Sequence, residues 1–175
     1  RNGVFAALLA AEGMTGPYNA MDGSHGLGEL LGQFKLGPLT EPGSDDFRIT
    51  QSSLKYFLSE YHSQNPIALA LQLSREVNPD DIESITIHTY WFAWHEIGSE
   101  PEKWHPTTRE SADHSLPFIV SAVLIDGTFS DEIFSEGRIR DARVHALADK
   151  VSVKEDPELT KRFPAEIPCR IDVRT

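Results

Sequence analysis

A single cysteine, Cys169, is all the thiol this chain has. That excludes an intramolecular disulfide framework and any zinc site built mainly on thiolates. A reducing cytoplasm is the simplest setting for such usage, although a mitochondrial matrix would look the same. Long apolar runs are missing as well, since none reaches the roughly 18 residues that a membrane-crossing helix needs. The apolar stretch Val4 to Ala11 is short, has no basic segment of useful length before it, and reads as helix rather than leader. Positive charge is scarce: 16 Lys+Arg stand against 27 Asp+Glu, a formal net charge of -11. Nucleic-acid binding, which needs clustered positive charge to displace counterions, is thereby disfavoured. An anionic substrate would require a local basic pocket set against the global field.

Familiar catalytic spacings are absent too. No histidine pair has the H-E-x-x-H form: His95-Glu96 begins it, but position 99 is Ser. His62, His88, His95, His105 and His114 therefore suggest no metal centre. Gly23-Ser24-His25-Gly26-Leu27-Gly28 lacks the G-x-G-x-x-G order and no Lys-Ser/Thr follows, so it reads as linker. A G-x-S-x-G elbow is missing, and nothing near Cys169 would activate its thiol.

What remains is an ordinary globular text of 175 residues, 39% hydrophobic and 25% charged, enough for one domain with flanking segments. Both ends read as cut, Arg1 opening onto a helix and Cys169 to Thr175 alternating without a closing turn. Gly3 to Glu12 predicts a helix stopped by Gly13 and Gly16-Pro17. Met21 to Gly43 carries six glycines and two prolines and reads as a connector with one short helix near Leu27 to Phe34. Arg48 to Leu58 is expected to be extended. Pro66 to Val77 is an apolar helix, with Asn65 as N-cap and Pro66 at its first position. Ile82 to Tyr90 alternates Ile85, Ile87 and Thr89 against Ser84, Thr86 and His88, a half-buried strand. Ser115 to Ile125 is a strongly apolar helix closed by Asp126-Gly127. Shorter helices are expected at Ser130 to Phe134 and Asp141 to Lys150, and strands at Val151 to Lys154 and Arg170 to Arg174. Helices and strands without regular βαβ spacing predict an α+β two-layer sandwich, with a mostly antiparallel sheet and helices on one face.

Two segments carry candidate chemistry. Lys55 to Gln64 runs into a helix, so His62, Ser63 and Gln64 sit at its amino end, where backbone N–H groups and the dipole favour an anion. Lys55 and His62 would add charge and hydrogen bonds to the same carboxylate. In the bland reading Lys55 is solvated and His62 closes a helix entry. Thr107 to Phe118 likewise leads, through Arg109 and His114, into a buried helix. His114 either orients a carboxylate or exchanges a proton, or it satisfies backbone groups while Asp113 and Ser115 cap the helix. Trp91, Trp94 and Trp104, with Phe92, read as core or interface.

These segments resemble signatures of the 2-methylcitrate dehydratase (MmgE/PrpD) family. Lys55 leads to Glu60-Tyr61-His62-Ser63-Gln64, similar to that family's lysine-to-E-(F/Y)-H-S-Q element. A second stretch runs from Ile97-Gly98-Ser99-Glu100-Pro101-Glu102-Lys103-Trp104 through Thr108-Arg109-Glu110 to Ala112-Asp113-His114-Ser115-Leu116-Pro117 and Ile125-Asp126-Gly127. Asp141 with its helix, and Val151 to Pro157, continue the match. The resemblance implies a large all-helical domain and a smaller α+β lid that closes over the active-site cleft. Residues 1–16 would be the last helix of the first, 17–46 a connector, and 47–175 most of the lid.

It further implies metal-free, cofactor-free dehydration of a small polycarboxylate, most concretely 2-methylcitrate to 2-methyl-aconitate, in a homodimeric cytoplasmic enzyme. Decarboxylation of cis-aconitate or epimerisation of a related acid is the alternative within the class. By the family pattern Lys55, His62 and His114 are the catalytic candidates, with Gln64, Ser63 and Arg109 binding or orienting substrate. Two positions depart from the pattern. Phe118 stands where H-S-L-P-Y has tyrosine, and Glu60 stands where cis-aconitate decarboxylases have a histidine. The competing class is a non-catalytic assembly module whose acidic surface and tryptophans meet a partner. Val4, Phe5, Leu8 and Leu9 are expected to present apolar surface.

Overall fold

The computed structural model describes residues 2–21, 23–24, 26–32, 50 and 52–175. It divides into two compact units, Arg1–Ser52 and Ser53–Thr175. The first contains helix α1 (Asn2–Ala11) and the short α2 (Leu27–Leu31). Helix α1 stops where Gly13 takes a positive φ, and it buries none of its residues; Val4, Phe5 and Leu8 are exposed. Phe34 and most of the expected connector lie outside the described residues.

The second unit holds the core. Residues 53–58 form no strand, which corrects the expected extension over Arg48 to Leu58; residues 48, 49 and 51 lie outside the described residues. The physical reason is local: the backbone N–H groups of Tyr56 and Phe57 pair with the Gln64 side chain instead of a neighbouring strand.

A 3-10 turn, Tyr61–Ser63, opens directly into α3 (Gln64–Leu73). The helix thus starts earlier than the expected Asn65 cap, with Ser63 at the cap position and Pro66 as its third residue. Proline costs little there, because the first four N–H groups of any helix lack intrahelical acceptors. Asn78 accepts from the Asp80 N–H and turns the chain into β1 (Ser84–Thr89). Then follow α4 (Trp91–Ile97), α5 (Arg109–Asp113) and α6 (Leu116–Asp126). The remaining elements are a 3-10 turn at Asp131–Phe134, α7 (Glu136–Ile139), α8 (Ala142–Ala148), β2 (Val151–Glu155), α9 (Pro157–Thr160) and β3 (Cys169–Arg174).

The strands form one sheet in the order β2-β1-β3. Strand β1 pairs in parallel with β2 and antiparallel with β3, so the sheet is mixed where a mostly antiparallel one was expected. Its registers stack matching side chains: Val151, Ile85 and Val173 form one row, and Val153, Ile87 and Ile171 the next. These rows face the helices, while Ser84, Thr86 and His88 take the opposite face, as period-two alternation requires. Helix α6 is apolar on every side, and every residue from Leu116 to Leu124 is buried. It packs between α3 and α8 and against β2, which makes it the centre of an α+β sandwich. Burying each of its large side chains contributes roughly 1.5–3 kcal/mol. Gly127 closes it with a left-handed φ of 64°, its N–H bonding Val123 at 2.9 Å. Among the described residues no helix is long and apolar enough to cross a membrane.

Candidate functional site

Gln64 organises the first motif. Its Oε1 accepts from the N–H groups of Tyr56 and Phe57 at 3.1 and 2.9 Å, and its Nε2 donates to the Phe57 carbonyl at 3.1 Å. Every polar atom of the amide is engaged with the loop before the helix. Ser63, fully buried, places its hydroxyl 2.6 Å from the Glu60 carbonyl and 2.9 Å from Ser59 Oγ. Both residues, expected to meet substrate, spend their hydrogen bonds on shaping residues 56–60. That shaping leaves Leu54, Tyr56 and Leu58 exposed, and Lys55 is carried outward with them.

The second motif is built by caps. Thr108 and Ser111 form a reciprocal capping box that starts α5 at Arg109. Ser115 then caps α6, its hydroxyl accepting from the Phe118 N–H at 3.1 Å while donating to the Lys103 carbonyl. The two motifs meet through Asp113, whose Oδ1 accepts from the Glu60 N–H at 2.9 Å.

Their junction is an open depression of about 260 Å³ lined by Lys55, Leu58, Ser59, Arg109, Glu110 and Asp113. Lys55 enters from the loop and Arg109 from the first turn of α5. Neither has an ion-pair partner among the described residues. The Arg109 guanidinium lies 5.8 Å from the centre of the Phe134 ring, a cation–π contact that steadies it without neutralising it. Two cations and two carboxylates around a small concavity can hold a carboxylate and hydrogen-bond a hydroxyl.

The expected histidines are not among the lining residues. His114 is exposed and ends α5; its Nδ1 donates to the Glu110 carbonyl at 3.1 Å and lies 3.7 Å from Asp113, and its Nε2 has no hydrogen-bond partner among the described residues. His62 is half-buried in an aromatic box of Tyr61, Tyr90, Phe92 and Phe163. Its Nδ1 is 2.5 Å from Tyr90 Oη, and its Nε2 is 3.9 Å from Glu60 Oε1. Glu60 also caps the 3-10 turn, accepting from the His62 N–H at 2.7 Å. Burial pushes the Tyr90 phenol well above its ordinary value, and the nearby Glu60 carboxylate adds to the effect. Tyr90 therefore stays protonated at any working pH.

Phe118 is fully buried inside α6 and does not line the depression. Burial pushes the Cys169 thiol up to about 12, so it is no nucleophile. Among the described residues no group of three or more His, Cys, Asp or Glu is placed to hold a metal ion. Glu110, Asp113 and Tyr90 were not expected from the sequence as site groups. Each looked like a cap, a helix residue or a strand end, and only long-range contact reveals its place.

A sequence model of the MmgE/PrpD C-terminal domain matches residues 57–175. The chain belongs to the MmgE/PrpD family. Its relatives within that family include the 2-methylcitrate dehydratase of Escherichia coli (strain K12), 28% identical over 112 residues, covering 61% of this chain and 23% of the relative. The 2-methylcitrate dehydratase of Cupriavidus necator is 26% identical over 110 residues, covering 60% and 22%. A mitochondrial 2-methylcitrate dehydratase of Yarrowia lipolytica is 27% identical over 114 residues, covering 62% and 21%. The chain thus spans less than a quarter of the length of these MmgE/PrpD relatives. The family match begins two residues after Lys55 and takes in Arg109 and all of α5 and α6.

Proposed function

We propose that this chain supplies one wall of the active site of a polycarboxylate lyase, with 2-methylcitrate, dehydrated to 2-methyl-aconitate, as the substrate. The observation that carries this reading is the pair Lys55 and Arg109, two cations without ion-pair partners among the described residues, facing one depression in a chain of net charge -11. Glu110 and Asp113 share the depression, but neither is ion-paired with Lys55 or Arg109, so both cations keep their donors for an incoming carboxylate. The dehydratase names of the relatives support the reaction type.

In this reading a proton leaves the carbon beside a carboxylate, and the hydroxyl on the neighbouring carbon departs with a proton as water. The electron pair becomes the conjugated double bond. Lys55 and Arg109 hold the carboxylates and stabilise the charge that develops during proton removal. His62 and His114 are the groups for proton transfer. Ser63 and Gln64 act through the loop they hold. The reading needs neither metal nor cofactor, and it assigns the remaining catalytic groups and a homodimeric assembly to a longer protein carrying this chain.

A second reading rests on the exposed aromatic surface of Tyr61, Trp91 and Phe92, which suits a non-catalytic assembly face. The test is turnover by a longer protein carrying this chain, followed by the ultraviolet absorbance of the conjugated product. Absorbance with 2-methylcitrate that falls on the order of 100-fold in Lys55→Ala supports the lyase. Turnover unchanged by Lys55→Ala and His62→Ala sinks the site. An inert protein that forms a stable hetero-complex favours the assembly face.

A further inference from the structure

The contact between Tyr90 and His62 settles more than proximity. Tyr90 is 1% exposed, and its hydroxyl has one hydrogen-bond partner among the described residues, His62 Nδ1 at 2.5 Å. A buried O–H proton left unpaired is costly, so the phenol must donate to Nδ1. The ring nitrogen that accepts carries no proton, and the neutral imidazole must keep its proton on Nε2. On the opposite side of the ring Nε2 lies 3.9 Å from Glu60 Oε1, beyond hydrogen-bond distance, so no acceptor among the described residues holds it there. The ring itself cannot easily turn, with Tyr61 and Phe92 at centroid distances of 5.7 and 6.2 Å and Phe163 stacked on Tyr90 at 4.7 Å.

We propose that Tyr90 is a positioning residue that holds His62 as its Nε2–H tautomer, with that N–H presented on the Glu60 side as a donor. The catalytic part of this role rests on the reading of His62 as a proton-transfer group. It then makes His62 the donor to a departing hydroxyl rather than the base that takes the C–H proton. The protonated state of the Tyr90 phenol keeps the donor in place throughout.

Long-range proton–nitrogen correlation spectra of the 175-residue chain at neutral pH read the tautomer directly. His62 is expected to show a pyrrole-type Nε2 and a pyridine-type Nδ1. In Tyr90→Phe, which removes one hydrogen bond and little volume, the ratio of the two tautomers should shift about fivefold toward Nδ1–H. A protonated Nδ1 in the unaltered chain, or a ratio indifferent to Tyr90→Phe, overturns the proposal. If Phe at position 90 prevents folding, the unaltered chain still decides, through the hydrogen-bond coupling expected between the Tyr90 hydroxyl proton and His62 Nδ1; its absence overturns the assignment. In a longer active protein, Tyr90→Phe should lower kcat with little change in KM. If the tautomer is as stated while His62→Ala leaves turnover unchanged, the lyase reading of His62 fails and the positioning assignment stands.

Discussion

The Asp113 carboxylate accepts the Glu60 backbone N–H at 2.9 Å, across 53 residues of sequence. This one bond brings the loop that carries Lys55 against the helix that carries Arg109. Removing its acceptor leaves a partly buried N–H unsatisfied, a loss of roughly 1–3 kcal/mol for a hydrogen bond to a charged group. Asp113→Ala should lower the unfolding free energy by that amount, seen as a lower urea midpoint at unchanged slope, and Asp113→Asn, which keeps an acceptor oxygen, should lose less. Equal losses would show that the hydrogen bond contributes little.

Gln64 is the second fastener of the same loop. In Gln64→Ala the Tyr56 and Phe57 amides lose their acceptor. Their hydrogen exchange should accelerate by about tenfold or more, while the β1 amides keep their protection. Uniform acceleration across the second unit would mean that Gln64 supports global stability rather than the loop.

Gly98 lies where α4 presses on the sheet. A methyl group there would sit 2.6 Å from Val153 Cγ1 and 3.0 Å from its Cβ, and the branched valine has little room to give. Gly98→Ala should cost about 1–3 kcal/mol by overpacking. Combining it with Val153→Ala should recover part of that cost, so a double-mutant cycle should be non-additive. Additivity would relocate the strain.

Asp141 makes stability depend on pH at the other end of the domain. Burial alone would raise its carboxyl, but the Arg143 N–H at 2.8 Å and the Arg138 guanidinium outweigh it and hold the group below the usual aspartate range. A depressed folded-state value means the stabilisation is present above the unfolded value, about 3.9, and is lost as pH falls through the folded one. Asp141→Ala should therefore cost about 1 kcal/mol or more at pH 7, since it also removes the N-cap of α8. The gap between variant and parent should narrow in chemical denaturation as pH falls from the unfolded value, about 3.9, through the lower folded one. A gap that stays constant down to acid pH would assign the whole effect to packing.

Much of the architecture was legible without the structure, for identifiable reasons. Alternation of Ile85, Ile87 and Thr89 with Ser84, Thr86 and His88 dictated both a strand and its buried face, because side chains on extended backbone point alternately. The apolar run ending at Asp126-Gly127 dictated α6 and its left-handed stop. The start of α3 was misjudged, because Asn65-Pro66 carries a strong local start signal. A 3-10 turn capped by Glu60 instead moved the helix two residues earlier.

The chemistry divides along the same line. Sequence alone determined which residue types were available and in what order: a lysine, an arginine and the histidines, embedded in two motifs and set in an acidic chain. Tertiary structure alone decided their company. It placed Lys55 with Arg109, sent His62 under Tyr90 and committed the Gln64 amide to backbone. Periodicity and caps are set by neighbours a few residues apart, whereas a site is set by contacts such as that of Glu60 with Asp113, which exist only once the core has closed.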